Sequence, residues 1–553
     1  MKQIFFFAIL MMATTLNAQD FEWAASFGGT STDRSSGICV DSSGNVYTSG
    51  TFKGTVDFDP GAGTSNLTSA GLTDVFVQKM DASGNFLWAK SFKGTSQISN
   101  TQICLDDSAN VYTTGYFGGT VDFDPGAGTS NLTSTGSFDI FVQKMDASGN
   151  FIWAKSIGGT GDDRAFSIKL DASNNVHING SFSGTVDFDP GAGTSNLISA
   201  GGTDIFVQKM DASGNFVWAK SMGGTGTDRA YSIKLDASDN VHSVGHFEGT
   251  VDFDPGANTS NLTSAGGKDV FVQKMDASGN LLWAKSFGST GNDLAYAVSV
   301  DASGNVYTTE CFSGTVDFDP GAGTSNLTSS GNFDAYVQKM DASGNFVWAK
   351  SFGGTGVDRA YSISTDGLGN VYTTGYFQGS IDFDPGAGTT ILSSVGGNDI
   401  FVQKMDANGN FLWAKSYGSI NNETGREIIV DGSANVYTTG GFQGTIDFNP
   451  GASTTNLTSN GAHDIFVQKL SQCFNTGTDV QAACDSYTWI DGITYTASNY
   501  SATFNIIGGA ANGCDSIVSL NLTITNNNTS SDTIVYYVSN VEFQSNSPKT
   551  YLE

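Results

Sequence analysis

Residues 76–91 read FVQKMDASGNFLWAKS, and this stretch recurs along most of the chain at a fixed spacing. Its first four residues return at 141, 206, 271, 401 and 466, and one further copy has Tyr336 in place of the Phe. Its Trp belongs to a series at 23, 88, 153, 218, 283, 348 and 413, in which every gap is 65 residues. Such a constant period indicates an array of equivalent structural units.

Each repeat predicts four short β-strands, which we name A to D in chain order. In the copy that begins at Arg164 they cover 165–170, 176–182, 204–210 and 216–221. Val, Ile, Phe, Tyr and Thr dominate these runs, and helical periodicity is absent. The run Phe-Val-Trp-Ala in strand D is apolar on both faces, as is typical of a sheet packed between two neighbours.

The number of turns predicts how the array closes. The C–D turn, Asp-Ala-Ser-Gly-Asn at 81–85, occurs six times for seven repeats. The chain begins in a D strand, 21–26, and leaves the array after a C strand, 465–470. The first strand can therefore complete the last blade and remove free sheet edges. We predict an all-β fold whose main part is a seven-bladed β-propeller of 65-residue, four-stranded blades, followed by a small β-sandwich-like module.

Taken over its copies, the repeat reads FVQKMDASGNFLWAKSFGG followed by NVYTTGYF.GTVDFDPG, and this pattern resembles the SBBP β-propeller repeats of bacterial secreted proteins. The resemblance covers about residues 21 to 471. It implies an extracellular propeller, often part of a large surface protein of the Bacteroidetes type, without a defined activity. Further on, the pattern ACDSYTW…DG.TYT…GCDSIVSLNLTI resembles modules near the ends of bacterial adhesin-like surface proteins.

The chain divides into four predicted segments. Lys2, an apolar run over 4–13 and the small residue Ala18 predict a secretory signal peptide at 1–18, because the run is too short to span a bilayer. The propeller follows at 19–471 and the β-sandwich-like module at 472–524. Residues 525–553 form a polar tail or the start of a truncated further module. These features predict a secreted or outer cell-surface protein.

Charge excludes one class of partner. The chain carries 25 Lys and Arg against 54 Asp and Glu, a formal net charge of −29. Such a surface repels phosphate backbones, so nucleic acid is not an expected partner. We expect no membrane span, a monomer, and an extracellular glycan or protein as the ligand.

The motif Val-Asp-Phe-Asp-Pro-Gly supplies pairs of Asp residues on one side of an extended segment. Two interpretations are open: carboxylate oxygens for Ca²⁺, or caps of the Pro-Gly turn. No other cofactor is expected. The candidate calcium ligands are Asp57, Asp59, Asp122, Asp124, Asp187, Asp189, Asp252, Asp254, Asp317, Asp319, Asp382 and Asp384, and the last copy has Asp447 and Asn449.

No residue pattern predicts catalysis, and we do not expect an enzyme. His242 and His246 are roughly 13 Å apart if extended, too far to share one metal ion. The motif Gly-Gly-Thr-x-x-Asp-Arg recurs in four of seven repeats, and we expect each Arg to pair with the preceding Asp. The four arginines are Arg34, Arg164, Arg229 and Arg359.

Cysteine usage predicts one disulfide. Cys484 and Cys514 share a small module of an exported chain, so we predict that they pair. Cys39 and Cys104 occupy a freely varying repeat position, which favours free or exposed thiols. The sequence assigns no partner to Cys311 or Cys473.

Three functions remain open. The leading hypothesis is binding or adhesion through the long B–C loops, such as Ser183 to Thr203, which all leave the blades on one face. The alternatives are an extracellular propeller enzyme, a hydrolase or lyase, and a structural spacer. An asymmetric pocket on the propeller axis would favour the enzyme.

Overall fold

The structure is a computed structural model that describes residues 19–451, 453–472, 474–506 and 515–525. The chain separates into two compact units, one of which is Phe21–Leu470. The predicted signal peptide at 1–18 and residues 526–553 of the predicted tail lie outside the described residues. No helix long and apolar enough to cross a membrane occurs in the described part of the chain.

The larger unit is a propeller of seven blades, each with four antiparallel strands, as the sequence predicts. Strands A are Arg34–Val40, Ile98–Leu105, Arg164–Leu170, Arg229–Leu235, Leu294–Val300, Arg359–Thr365 and Thr424–Val430. Strands B are Val46–Phe52, Val111–Phe117, Val176–Phe182, Val241–Phe247, Val306–Phe312, Val371–Phe377 and Val436–Phe442. Strands C are Asp74–Met80, Asp139–Met145, Asp204–Met210, Asp269–Met275, Asp334–Met340, Asp399–Met405 and Asp464–Gln472. Strands D are Phe86–Gly94, Phe151–Ile157, Phe216–Met222, Leu281–Phe287, Phe346–Phe352, Phe411–Tyr417 and, in the seventh blade, Gln19–Phe27.

The first strand closes the ring. Gln19–Phe27 pairs with Asp464–Gln472, the C strand of the seventh blade. The A strand of each blade contacts the A strand of the next, and the seventh contacts the first, so the A strands surround the axis. The predicted closure is confirmed.

The hydrophobic core lies between blades. One cluster joins Ile140 and Val142 of the second blade to Ile168 and Phe206 of the third. The equivalent cluster between the seventh and first blades includes Phe27. Each blade is therefore buried on both faces, which explains the apolar runs in its strands.

The A–B and C–D turns form one face of the propeller, which we call the turn face. All seven A–B turns place the residue equivalent to Gly44 at positive φ. Gly tolerates this conformation, but Ala109 and Ala434 adopt it as well, each with φ of 58°. The preceding Asp caps the turn: Asp41 Oδ1 accepts hydrogen bonds from the amides of Ser43 and Asn45.

The D–A and B–C connections form the opposite face, which we call the funnel face. Each B–C connection folds into a two-stranded hairpin. The hairpins are Thr55–Asp57 with Asn66–Thr68, Thr120–Asp122 with Asn131–Thr133, Thr185–Asp187 with Asn196–Ile198, Thr250–Asp252 with Asn261–Thr263, Thr315–Asp317 with Asn326–Thr328, Ser380–Asp382 with Ile391–Ser393, and Thr445–Asp447 with Asn456–Thr458. Val186 and Phe188 of the third hairpin are fully buried, and Phe188 O accepts a hydrogen bond from Gln208 Nε2. These connections are therefore part of the core rather than free loops.

The described residues beyond Ser471 form a small β module. Phe474–Cys484 pairs in parallel with Asp515–Thr525, which also pairs with Thr503–Ile506; Tyr487–Thr488 and Thr494–Tyr495 form a separate two-stranded sheet. Trp489 is buried against Val518, and its indole N–H donates to Asp479 Oδ2 at 2.9 Å. Cys484 lies opposite Thr525, at the opposite end of the strand pair from Asp515. Cys514 lies outside the described residues, so its disulfide with Cys484 stays a prediction.

Candidate functional site

A β-bulge in each A strand directs one side chain towards the propeller axis. In the first blade Ser35 pairs with Gly50 and Gly37 pairs with Ser49, so Ser36 between them has no partner across the strand. A bulge adds one unpaired residue and turns its side chain out of the regular alternation. Five other blades have a single bulged residue at the equivalent position: Phe166, Tyr231, Tyr296, Tyr361 and Arg426.

The bulged residues make the axis asymmetric. Four consecutive blades contribute aromatic rings, with centroids 5.1 Å apart for Phe166 and Tyr231, 4.3 Å for Tyr231 and Tyr296, and 5.8 Å for Tyr296 and Tyr361. We call Phe166, Tyr231, Tyr296 and Tyr361 the aromatic arc. On the other side of the axis the equivalent positions are Ser36 and Arg426.

The aromatic arc lines a cavity of about 930 Å³ on the axis. Thr32 from a D–A connection and Thr73 from the end of a B–C connection also line it, so the cavity opens on the funnel face. Neutral polar side chains complete the wall, among them Ser35, Gln97 and Gln102. Its volume is within the range of small-molecule and cofactor sites.

Two arginines in this cavity have no carboxylate partner within the part of the chain that the structure describes. Arg426 lies over the ring of Tyr361 at 4.8 Å from the centroid. Burial and the positive charge of Arg426 both lower the pKa of Arg34, which lines the same cavity. By contrast, Arg164 Nη2 lies 3.1 Å from Asp162 Oδ2, and Arg359 Nη1 lies 3.3 Å from Glu310 Oε1.

A smaller cavity of about 70 Å³ lies deeper along the A strands. Lys169 and Lys234, equivalent residues of neighbouring blades, line it together with Glu427. The charge of Lys169 and burial lower the pKa of Lys234 to about 7. Burial raises the pKa of Glu427 to about 7, although both lysines act in the opposite direction.

The fifth blade departs from the repeat behind the aromatic arc. Glu310 is fully buried at a position that is Gly in the other six blades. In five of those blades an added Cβ would meet the carbonyl oxygen of the A strand, as at Gly375, where Arg359 O would be 1.8 Å away. Burial raises the pKa of Glu310, and Arg359 opposes this rise. Sequence reasoning treated the blades as equivalent and missed this residue.

The expected pairing of each Arg with its preceding Asp is wrong. Asp33, Asp163, Asp228 and Asp358 are fully buried and cap the D–A connection instead. Asp33 Oδ2 accepts from Gly29 N at 2.7 Å, and its Oδ1 accepts from Lys53 N at 2.9 Å. Arg164 does bind an aspartate, but the partner is Asp162 rather than Asp163.

These capping residues lie beside a second buried Asp at the start of a C strand. Burial raises the pKa of Asp228 to about 6, and the charge of Asp204 adds to the rise. Asp163, Asp358 and Asp464 also have a pKa of about 6, with burial as the main cause.

The candidate calcium ligands act as turn caps in every described copy. Asp57 Oδ1 accepts from the amides of Asp59 and Ser65, and Asp59 Oδ1 accepts from Gly61 N at 2.8 Å. Asp122 with Asp124, Asp187 with Asp189, Asp252 with Asp254, Asp317 with Asp319, and Asp382 with Asp384 repeat this pattern. Among the described residues, no three His, Cys, Asp or Glu side chains are placed to hold a metal ion. The geometry favours the capping interpretation.

The sequence contained one indication of the axial site that pattern analysis did not use. The position of Ser36 holds Thr, Phe, Tyr, Tyr, Tyr and Arg in the following repeats, whereas most of the repeat is nearly invariant. A position that varies while the rest of the repeat stays constant has a different environment or role in each blade. Its direction towards the axis depends on the bulge, which the sequence did not predict.

Comparison with known proteins agrees with this architecture. Residues 347–378 match the SBBP family model, described as a beta-propeller repeat. An uncharacterized WD repeat-containing protein, L264 of Acanthamoeba polyphaga mimivirus, is 24% identical over 508 residues, which is 77% of this chain and 36% of that protein. The regulatory protein FlaEY of Caulobacter vibrioides is 25% identical over 174 residues, 30% of this chain and 17% of that protein. The chain thus spans well under half of either relative.

Solved structures show a more distant likeness. A protein of unknown function from Dyadobacter fermentans has a TM-score of 0.35 and 10% identity, with 82% of this chain and 100% of that chain covered. Sqt1 from Chaetomium thermophilum has a TM-score of 0.36 and 8% identity, with 82% and 99% covered. With the seven blades and the repeat match, the chain is a β-propeller repeat protein.

Proposed function

We propose that this protein is a secreted or cell-surface binding propeller that holds an extracellular ligand, a glycan in first place, in the axial cavity. The aromatic arc carries this proposal. Four adjacent rings form a continuous apolar wall, and tyrosine offers a flat face together with a hydroxyl group. Such surfaces suit the flat apolar faces and hydroxyl edges of sugar rings.

The location of the cavity also supports recognition. Its wall includes the bulged position, which differs from blade to blade, whereas the turn face repeats one capping pattern. The predicted signal peptide at 1–18 supports export, and export brings the cavity into contact with extracellular polymers. The protein can then act in adhesion by retaining a surface glycan.

Exchange of whole connections is a poor test of this proposal. Replacing Ser183 to Thr203 by a short turn removes Val186 and Phe188 from the core, so lost binding would only report lost folding. Single substitutions in the aromatic arc avoid this problem because these rings are partly exposed.

The test is a glycan and protein array followed by calorimetry on the ligands it finds. We expect Tyr231→Ala and Tyr296→Ala each to weaken binding by about tenfold or more, as loss of a central aromatic contact does. Val217→Ala is the matched control, because this residue is 46% exposed on an outer D strand. Equal affinity of the Tyr231 variant and the wild type for every ligand would reject the axial site.

The asymmetry of the cavity favours a second candidate, an extracellular enzyme. Glu310 has a raised pKa behind the aromatic arc, as general acids often have. The same ligands should be incubated with the protein and examined for cleavage products by mass spectrometry. Products that disappear in Glu310→Gln, with binding retained, would replace the binding-only function by catalysis.

A further inference from the structure

The axial channel is cationic in a strongly acidic protein. The chain has 29 more acidic than basic residues, from 54 Asp and Glu and 25 Lys and Arg. Several basic residues elsewhere on the blades form ion pairs. Lys209 Nζ, for example, lies 2.8 Å from Asp171 Oδ2, and Lys274 Nζ lies 2.9 Å from Asp236 Oδ2. The cations that line the axial cavities instead occur there in a group.

The first group of these cations lies at the mouth of the channel. Arg34 and Arg426 line the larger cavity, and neither forms an ion pair with a carboxylate in the described residues. Arg164 holds the same repeat position as Arg34 but is paired with Asp162. One repeat position thus carries both a neutralised arginine and one that faces an open cavity. Two guanidinium groups that line one cavity repel each other, and an anion bound between them would relieve this repulsion.

The second group lies deeper in the channel. Lys169 and Lys234 come from neighbouring A strands and line the smaller cavity. Glu427 is the one carboxylate among the lining residues of the two cavities, so the channel keeps a positive balance along its length. The thiols of Cys39 and Cys104 face Lys169, and burial raises the pKa of both thiols, so they do not supply a negative charge.

The remaining wall suits a ligand rich in hydroxyl groups. Ser35, Ser36, Thr51, Gln97 and Gln102 offer neutral donors and acceptors around the same cavity as the aromatic arc. Rings for stacking, neutral groups for hydroxyls and two unpaired guanidinium groups occur together. Guanidinium binds a carboxylate through two parallel hydrogen bonds.

We infer that the axial cavity selects acidic glycans, that is, chains that contain uronate residues. The uronate carboxylate binds between Arg34 and Arg426, and the sugar rings lie against Tyr231 and Tyr296. This inference rests on the proposed function and adds the chemical class of the ligand. It places the charge contact at the mouth and the ring contacts on the aromatic arc.

The deeper cations make this selectivity depend on pH. Lys234 gains a proton as the pH falls below about 7, and Glu427 loses its negative charge over the same range. The other charged groups that line the same cavity are Lys169 and Arg426, and burial raises the pKa of the nearby Cys39 and Cys104 thiols. A uronate carboxyl, with an ordinary pKa near 4, stays ionised from pH 8 to pH 6. The channel therefore becomes more positive, and acidic glycans bind more tightly, as the pH falls from 8 to 6.

The test is titration calorimetry of the full-length exported protein with a galacturonate tetramer and with the neutral galactose tetramer, at pH 6 and pH 8. We expect the acidic tetramer to bind about tenfold or more tightly than the neutral one, and Arg34→Gln and Arg426→Gln each to remove about tenfold of this affinity. Arg164→Gln is the matched control and should leave the affinity unchanged. Lys234→Gln should reduce the difference between pH 6 and pH 8, and Lys234→Gln combined with Glu427→Gln should remove it. Both mouth arginines are exposed, and an unchanged melting temperature verifies that their variants fold.

Equal affinity for the two tetramers, with binding still lost in Tyr231→Ala, would overturn the charge selectivity and leave the proposed function intact. Binding of an acidic peptide such as oligoglutamate, without binding of galacturonate, would overturn the glycan class. Arginine variants that match Arg164→Gln would show that the carboxylate does not bind at the mouth. If every ligand found on the array bound the Tyr231→Ala variant as tightly as the wild type, the proposed function itself would be refuted.

Discussion

Asp204 and Asp211 flank the same seven-residue strand of the third blade, one on each face of the propeller. Asp204, on the funnel face, is 3% exposed; its Oδ2 accepts one amide hydrogen bond from Ala200, and its Oδ1 has no partner. Asp211, on the turn face, accepts from the amides of Ser213 and Asn215 and from the Asn215 side chain.

The two environments shift the carboxyl groups in opposite directions. Burial raises the pKa of Asp204, and the single hydrogen bond from Ala200 only partly offsets it. Slight burial would also raise the pKa of Asp211, but the hydrogen bonds from Asn215 and Ser213 outweigh it and the pKa is lowered. The turn face is thus built for stability in the same way in each blade. The funnel face contains buried carboxyl groups with few hydrogen-bond partners, and its axial cavity is lined by residues that differ between blades.

The largest expected effect concerns the tryptophans that connect blades at the turn face. Trp218 is only half-buried, and its indole donates to Ala277 O of the next C–D turn at 3.3 Å. Trp413 is 3% exposed, the seventh blade offers it no C–D turn, and its indole nitrogen has no partner among the described residues. We expect Trp413→Ala to cost about 3–5 kcal/mol and Trp218→Ala about 2 kcal/mol of unfolding free energy in denaturant titrations. A larger loss for Trp218 would mean that the turn contact, not burial, dominates.

The next effect separates backbone strain from packing in two glycines of the first blade. Gly84, on the turn face, has φ of 81°, and an added Cβ would lie 2.9 Å from the ring of Trp23. Gly54, on the funnel face, has φ of 78°, but nothing lies within 4 Å of its added Cβ. We expect Gly54→Ala to cost about 1 kcal/mol from strain alone and Gly84→Ala about 2–4 kcal/mol, because overpacking is added. Equal losses would remove the packing difference between the faces.

Much of this architecture could be predicted from the sequence because the same strand and turn pattern occurs in seven copies of the repeat. Strands B and C of the third blade begin and end where predicted, at Val176, Phe182, Asp204 and Met210. The positive φ of Ala109 was less predictable from residue type, because the geometry shared by all seven turns overrides the preference of alanine.

The axial site was not predictable in the same way. A bulge shows no residue preference here, since Ser36 and Tyr231 occupy the same unpaired position. The packing of Phe188 under its blade depends on how the hairpin folds back, which periodicity does not report. Both features arise from contacts between segments that are distant in sequence. The repeat pattern describes only local sequence, so it does not predict such contacts.

A smaller effect distinguishes the two aspartates themselves. Asp204→Asn keeps the acceptor for Ala200 and replaces the unpartnered oxygen by an amide group, so we expect a gain of about 1 kcal/mol at pH 7.5. Asp211→Asn removes one of two oxygens that accept hydrogen bonds, and we expect a loss of similar size at pH 7.5. Thermal unfolding of both variants, monitored at pH 5 and pH 7.5, measures the difference.

The pH dependence of these variants follows from the pKa directions. The pKa of Asp228 is raised to about 6, and that of Asp204 is also raised, so folding favours their protonated forms. Their contribution to stability is present below the ordinary pKa near 4 and is lost as the pH rises through about 6. The wild type should therefore melt several degrees higher at pH 5 than at pH 7.5, and Asp204→Asn should reduce this difference. If Asp204→Asn were less stable than the wild type at pH 7.5, this result would contradict repulsion between the buried Asp204 and Asp228 carboxylates.

The smallest expected effect concerns calcium and the Asp pairs of the funnel-face hairpins. One oxygen of Asp57 caps two amides, and one oxygen of Asp59 caps Gly61. An ion that binds only the folded protein would raise the melting temperature with its concentration. Because the caps already satisfy these oxygens, we expect the same melting temperature in millimolar CaCl₂ and in EDTA.

The seventh hairpin offers an internal control, since Asn449 replaces the second Asp and still caps Gly451 through Oδ1. An Asp59→Asn variant should therefore resemble the wild type in both buffers. A calcium-dependent rise in melting temperature that Asp59→Asn abolishes would reverse the assignment and make the hairpins metal sites. The stability of the funnel face would then depend on bound calcium.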